Sequence, residues 1–170
     1  YGLDEQAEES SVLAVYDLGG GTFDISLLRM RKGIFEVLAT GGDSALGGDD
    51  FDRVLADHIL AELALANPSS TQRRQALQSA RDAKEALTEL ESVTLDVSDF
   101  AEALSVITIN RSVLQSLIAP FIERTLHACR ETLADAEVAA VDRVVLVGGS
   151  TRTPSVRQAV AGCFGLEPLC

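Results

Sequence analysis

The sequence predicts an α/β protein in which helices pack on a mixed sheet, with a smaller α+β piece inserted into the main body. Three observations predict it. Strand-like runs separated by glycines open the chain, stretches with apolar residues at helical spacing follow, and one short apolar run returns at 143–147 before a last helix.

Ser11–Leu18 is apolar on both alternating faces, as a strand buried in a sheet requires. Gly19-Gly20-Gly21 interrupts it. Phe23, Ile25 and Leu27 then alternate with Asp24 and Ser26 in a second strand over 22–31, and Lys32-Gly33 turns the chain into a third over 34–40. Glycine-rich turns between such runs make an antiparallel meander. The glycines and aspartates of 41–50 punctuate the chain before a helix. Asp49 and Asp50 suit its cap and first turn, where unpaired N–H groups favour carboxylates. Phe51, Val54, Leu55, Ile59 and Leu63 form its apolar stripe, and Asn67-Pro68-Ser69-Ser70 stops it. A second helix over 71–91 buries Ala76, Leu77, Ala80, Ala83, Leu87 and Leu90. Short strands over 92–97 and 105–109 flank a looser 98–104. A long helix over 110–136 is expected to bend at Pro120, where a ladder hydrogen bond is lost. After the 143–147 strand and Gly148-Gly149-Ser150 comes a helix over 154–164, opened by Pro154. The inserted piece spans 48–104, and the main body 1–47 and 105–170.

The 170 residues suit one ordinary domain, and 46% hydrophobic with 24% charged residues is the composition of a globular protein. A net charge of -12 argues against nucleic acid or an anionic membrane as partner, since Lys/Arg clusters grip both. Any phosphate ligand must be held by local backbone donors rather than by the overall field. No apolar run is long enough to span a bilayer. Cys129, Cys163 and Cys170 show neither a close pair nor metal spacing and read as thiols of a reducing, cytoplasmic compartment. The start at Tyr1 and the end at Cys170 read as the limits of a piece of a longer protein.

The most informative stretch is Asp17-Leu18-Gly19-Gly20-Gly21-Thr22-Phe23-Asp24. Three glycines at a hairpin tip remove every Cβ, and a run of N–H groups there makes a concave anion site. With a two-residue tip, Asp17 and Asp24 face each other, and opposed like charges cost a sheet up to about 1 kcal/mol. A cation between them removes that cost. Mg²⁺, with its retained waters, fits two carboxylates plus phosphate oxygens. Thr22 then places a hydroxyl beside the terminal phosphate. An ordinary Gly-rich hairpin with solvated acids has the same spacing. Val147-Gly148-Gly149-Ser150-Thr151-Arg152 is a strand end and small-residue turn, where ligands of α/β sheets gather, and Arg152 has the planar group to stack on a purine. A plain strand-to-helix turn fits it too. Gly47 and Gly48 could line the same cleft or simply enter a helix. Arg81, Lys84, Glu85 and Thr88 share one helix face, either a solvated face with an Arg81–Glu85 pair or a charged cleft wall. His58 and His127 stand on predicted helices and are expected to be non-catalytic.

Taken together, these motifs resemble those of the heat-shock-70 chaperones, within the wider actin/hexokinase-like ATPases. Asp17–Asp24 looks like the second phosphate-binding motif, 147–154 like the adenosine-binding motif, and GGDSALGGDDFD over 41–52 like the segment linking them. Their order and spacing agree across essentially the whole chain. The phrase FEVLATGGDSALGGDDFD is most similar to the HscA branch, which serves iron–sulfur cluster assembly in bacteria. The resemblance implies an actin-like (ribonuclease H-like) fold and the second lobe of an ATP-hydrolysing domain. It implies that Gly19, Gly20, Gly21 and Thr22 wrap the β- and γ-phosphates of ATP or ADP, with Asp17 and Asp24 near Mg²⁺ and the attacking water, through water rather than direct ligation. Gly47 and Gly48 would approach the ribose and phosphates. Lys84 and Thr88 would flank the adenosine, with Gly148, Gly149, Ser150 and Arg152 on its other side. A J-domain co-chaperone and a scaffold-protein client are the implied partners. The family often has Glu and Arg where this chain has Arg81 and Glu85, so a usual inter-lobe salt bridge is not expected. A DnaK-type folding chaperone, a sugar or acid kinase, and a pseudo-ATPase scaffold are the alternatives. Asp17, Thr22, Asp24 and the three glycines speak against the scaffold, which has no need of them.

Overall fold

In the computed structural model, residues 10–101 and 105–169 are described. Expectations resting on 1–9, 102–104 and Cys170, which include both ends of the main body, the close of the inserted piece and the third thiol, lie outside them. Elements follow in the order β1 (Ser11–Leu18), β2 (Phe23–Arg31), β3 (Ile34–Asp43), α1 (Gly48–Glu62), α2 (Ser70–Ala86), β4 (Ser92–Asp96), β5 (Val106–Asn110), α3 (Arg111–Asp135), β6 (Arg143–Val147) and α4 (Pro154–Phe164). A short 3₁₀ turn, Gly149–Arg152, joins the last two. Four strands form a sheet in the order β3-β2-β1-β6, and β4 pairs with β5 separately. The first three strands run antiparallel and β6 lies parallel to β1, so the sheet is mixed as expected. Leu169 extends it beyond β6, exchanging 2.8 Å hydrogen bonds with Leu146 N–H and the Val144 carbonyl.

Alternation puts Ala14, Tyr16 and Leu18 of β1 and Phe23, Ile25 and Leu27 of β2 into one fully buried layer, and α3 packs over β2 and β3. Tyr16 stacks at a 4.7 Å centroid distance on Phe23, and its hydroxyl meets Thr125 Oγ1 at 2.7 Å. A buried phenol needs such a partner.

Three elements differ from the sequence expectation. β3 continues to Asp43, with Gly41 and Gly42 laddered opposite Ile25 and Asp24. These glycines are strand residues in close contacts: a Cβ on Gly41 would run into Thr132 of α3, and one on Gly42 into the Phe23 carbonyl of the neighbouring strand. α2 starts at Ser70 and stops at Ala86 rather than reaching 91. Its start is capped reciprocally, Gln72 N–H donating to Ser69 Oγ at 3.2 Å and Ser69 N–H to Gln72 Oε1 at 2.8 Å. Beyond its end, Arg111 donates through Nε to the Leu87 carbonyl at 2.8 Å and pairs with Glu91. Only Ala76, Ala80, Ala83 and Leu87 are buried, while Leu77 and Leu90 face solvent. Finally, β5 covers Val106–Asn110, one residue beyond the expected 105–109; the expected long helix α3 follows as one element across Pro120. Pro120 and Ser116, whose carbonyl loses its donor, both lie on the exposed side, where water can satisfy the gap.

Cys129 is fully buried on α3, and burial pushes its thiol up to about 12. Burial likewise raises the Tyr16 phenol above its ordinary range. Both stay protonated in the fold where the unfolded chain would release the proton, so the native state binds more protons at alkaline pH. Their contribution to stability is therefore complete below about pH 9 and lost as pH climbs toward 12. Urea titrations should show a level plateau from pH 7 to 8.5 and a fall of about 1–3 kcal/mol by pH 11. Cys129→Ala should make that alkaline slope shallower; an identical slope would remove the thiol as its cause.

Candidate functional site

The Gly-rich hairpin closes when Gly19 N–H donates to the Thr22 carbonyl at 3.0 Å, leaving Gly20-Gly21 as a two-residue tip. That register sets Asp17 opposite Asp24. The amide of Gly19 is thus used internally, contrary to a fully open run of donors. Those of Gly20, Gly21 and Thr22 have no protein acceptor among the described residues. The carbonyl side of the tip faces the protein instead. Gly19 O accepts from Gly48 N–H and from Ser150 Oγ–H, each at 2.9 Å, and Gly20 O accepts from Asp49 N–H at 2.7 Å. The tip is thus anchored by its carbonyls, while its remaining amides are left without a protein acceptor among the described residues.

Three sequence-distant segments meet there because glycine lets them. A Cβ on Gly47 would sit under 3.0 Å from the backbone of Gly20 and Gly21. One on Gly48 would collide with Ser150 Oγ and lie 3.3 Å from Lys84 Nζ. Gly148 adopts φ +89, and its Cβ would strike the Leu18 carbonyl and come within 2.8 Å of Asp17 Oδ1. The start of α1, the hairpin and the turn after β6 are therefore in direct contact.

Beside this junction lies a cleft of about 540 Å³. Of the residues singled out in the sequence, Gly20, Gly48, Arg81, Lys84, Glu85, Thr88, Gly149, Ser150 and Arg152 line it. Gly19, Gly47 and Gly148 sit behind them as packing contacts, while Asp17, Gly21, Thr22 and Asp24 lie on the hairpin outside the lining. The side chains of Asp17, Thr22 and Asp24 make no hydrogen bond or ion pair among the described residues, so all three are uncommitted.

Sequence reasoning missed Asp49, Asp52 and Thr153 as lining residues. Asp49 had a sufficient role as a helix-start carboxylate. Asp52 carried a legible signal: a carboxylate inside the apolar stripe of α1, between Phe51 and Leu55. It is 1% exposed. The expected Arg81–Glu85 pair does not form. Arg81 reaches across to α1, with Nε 3.0 Å from Asp52 Oδ2 and Nη2 3.1 Å from Asp49 Oδ1. Lys84 Nζ lies 2.6 Å from Asp52 Oδ1 and donates to the Gly48 carbonyl at 3.3 Å. The Lys84 contact is a close charge pairing without good hydrogen-bond alignment, which leaves Oδ1 short of an in-line donor. A buried carboxylate is costly unless paired, whereas a solvated Glu85 gains little from a partner. Asp52 therefore takes both cations.

The histidines prove to have acids near them, Glu62 at 3.7 Å from His58 and Glu131 at 3.4 Å from His127, one helical turn on in each case. Both pairs lie away from the cleft lining. No group of three or more His, Cys, Asp or Glu that could hold a metal occurs among the described residues. Nor is any described helix long and apolar enough to cross a membrane.

Comparison with known proteins gives a consistent result. A family model described as Hsp70 protein matches residues 1–170. "Chaperone protein HscA homolog" of Vibrio cholerae serotype O1 (strain ATCC 39315 / El Tor Inaba N16961) is 52% identical over 171 residues, covering 99% of this chain and 27% of the relative. "Chaperone protein HscA" of Escherichia coli O17:K52:H18 is 52% identical over 172 residues, with the same shares covered. The chain thus spans about a quarter of the length of the relatives it matches.

Proposed function

The chain belongs to the Hsp70 protein family, on its HscA branch, and from that membership we propose that it is the nucleotide-holding second lobe of a chaperone ATPase. Its α/β architecture is that of the actin-like ATPase domains of the family. The observation that carries the proposal is the junction at Gly19 O, with three amides of the hairpin lacking protein acceptors among the described residues, beside a cleft of about 540 Å³.

The donor set fits a magnesium-bound nucleotide. Unpartnered amides at Gly20, Gly21 and Thr22 suit the β- and γ-phosphates, with Gly19 completing the loop that wraps them. The uncommitted Asp17 and Asp24 would hold a hydrated Mg²⁺ beside the phosphates. Such an ion supplies neutralisation of phosphate charge. Thr22 and the two aspartates orient water at the terminal phosphate. Gly47 and Gly48 admit the ribose and phosphates, Lys84 and Thr88 flank the adenosine, and Gly148, Gly149, Ser150 and Arg152 face its other side. Catalysis here is positioning plus electrostatics. Residues 48–104 form an α+β subdomain inserted into a core of 1–47 and 105–170. The whole protein assists iron–sulfur cluster assembly in the cytoplasm with a J-domain co-chaperone and a scaffold-protein client.

The test compares the full-length protein with this chain alone. The former should hydrolyse ATP in the presence of Mg²⁺. The latter, carrying one wall of the cleft, should bind ADP at least about tenfold more weakly, a difference of about 1.4 kcal/mol, and turn over none. Phosphate transfer to a sugar or a carboxylic acid by the full-length protein would place it among the kinases instead.

A further inference from the structure

Asp52 is an almost fully buried acid on α1, with Phe51 and Leu55 buried beside it. Two cations one turn apart on α2 converge on it, Lys84 on Oδ1 and Arg81 on Oδ2. The two cations are not equivalent. Arg81 also pairs with Asp49, so its charge is largely spent. Lys84 donates one of its three ammonium protons to the Gly48 carbonyl and meets Asp52 as a close charge contact, which leaves donor capacity for the cleft it lines.

The first turn of α1 hangs from the hairpin through Gly48 N–H to Gly19 O and Asp49 N–H to Gly20 O. Asp52 stands one turn further along that helix, so its carboxylate moves with the hairpin tip. We propose that Asp52 is a positioning residue: it fixes the Lys84 ammonium at a set place relative to the hairpin, and so couples adenosine binding on α2 to the phosphate end of the site. This rests on the reading that Lys84 flanks the adenosine. A long lysine stem is otherwise free to rotate, and freezing it before the ligand arrives lowers the entropic cost of binding.

A double-mutant cycle in the full-length protein tests it, with calorimetric affinities for ADP and for pyrophosphate, both with Mg²⁺. Asp52→Asn should weaken ADP about tenfold, in the range of coupling between touching charged residues, and pyrophosphate by less than about twofold. In a Lys84→Met background the same change should cost ADP less than about twofold, because the group it acts through is gone. Equal losses in both backgrounds, or parallel losses for ADP and pyrophosphate, would reduce Asp52 to a general staple between helices. If Asp52→Asn does not fold, Asp52→Glu keeps the charge and displaces it by one methylene. Its loss of about threefold should again appear only when Lys84 is present. A wild-type protein that binds pyrophosphate but not ADP would overturn the adenosine assignment and this role together. One that binds neither would overturn the nucleotide reading itself.

Discussion

Asp17→Asn in the full-length protein is expected to lower ATP turnover about a hundredfold while leaving the fold no less stable than before. The two halves of that result come from one feature. Asp17 and Asp24 occupy facing positions on β1 and β2, and neither has a cationic partner among the described residues. Like charges so placed destabilise a sheet by up to about 1 kcal/mol, so neutralising one relieves repulsion. On the proposed reading, the same removal takes away a carboxylate that orients a hydrated ion and the attacking water, and loss of one preorganised polar group typically costs a factor of about 10²–10³ in rate. A melting temperature that holds or rises while turnover collapses marks strain kept for function. Turnover within about threefold of wild type would show that the acids are merely solvated, as in an ordinary hairpin.

Gly47→Ala should have the largest structural effect, about 2–4 kcal/mol of lost stability together with weakened ADP binding. The backbone at Gly47 is extended, with φ -170, which any residue adopts. The damage is therefore one of space. Its Cβ would occupy the position of the Gly20 carbonyl and crowd the Gly21 amide, and peptide backbone cannot swing aside as a side-chain end can. Relief requires moving α1 away from the hairpin, stretching the bonds from Gly48 N–H and Asp49 N–H. Gly162→Ala serves as the control. It lies inside α4 with nothing within 4 Å of its Cβ, so Ala should stabilise by about 0.5–1 kcal/mol through helix propensity. Chemical denaturation of both variants reads the contrast, and a harmless Gly47→Ala would mean the junction is looser than its contacts indicate.

How much of this was legible in the sequence depended on whether a signal was local. The bounds of β1, β6 and α4 follow from apolar runs closed by glycine or opened by proline, and the structure places them where those signals fall. Gly41 and Gly42 misled because glycine marks both a break and a close approach, and only the arrival of Thr132 from α3 at Gly41 and of the β2 backbone at Gly42 distinguishes the two. Arg81 was misassigned for a related reason. Spacing within one helix offers Glu85 as partner, whereas the stronger claim belongs to a buried acid on another helix, 29 residues earlier. Asp52 itself was visible as a charge in an apolar stripe. The glycines offered the hairpin as a candidate anion loop, yet the anchoring of its carbonyls depends on donors from α1 and from Ser150, which no local pattern announces.

The bond from Ser150 to the Gly19 carbonyl also has a temporal meaning. It joins positions 131 apart, so the hairpin emerges from the ribosome long before its last anchor has been translated. At about 5–20 residues per second, that interval is on the order of ten seconds. Throughout it the β1–β2 loop must wait with its inner carbonyls only partly engaged, and a nascent chain cannot acquire a finished phosphate loop until synthesis has passed residue 150.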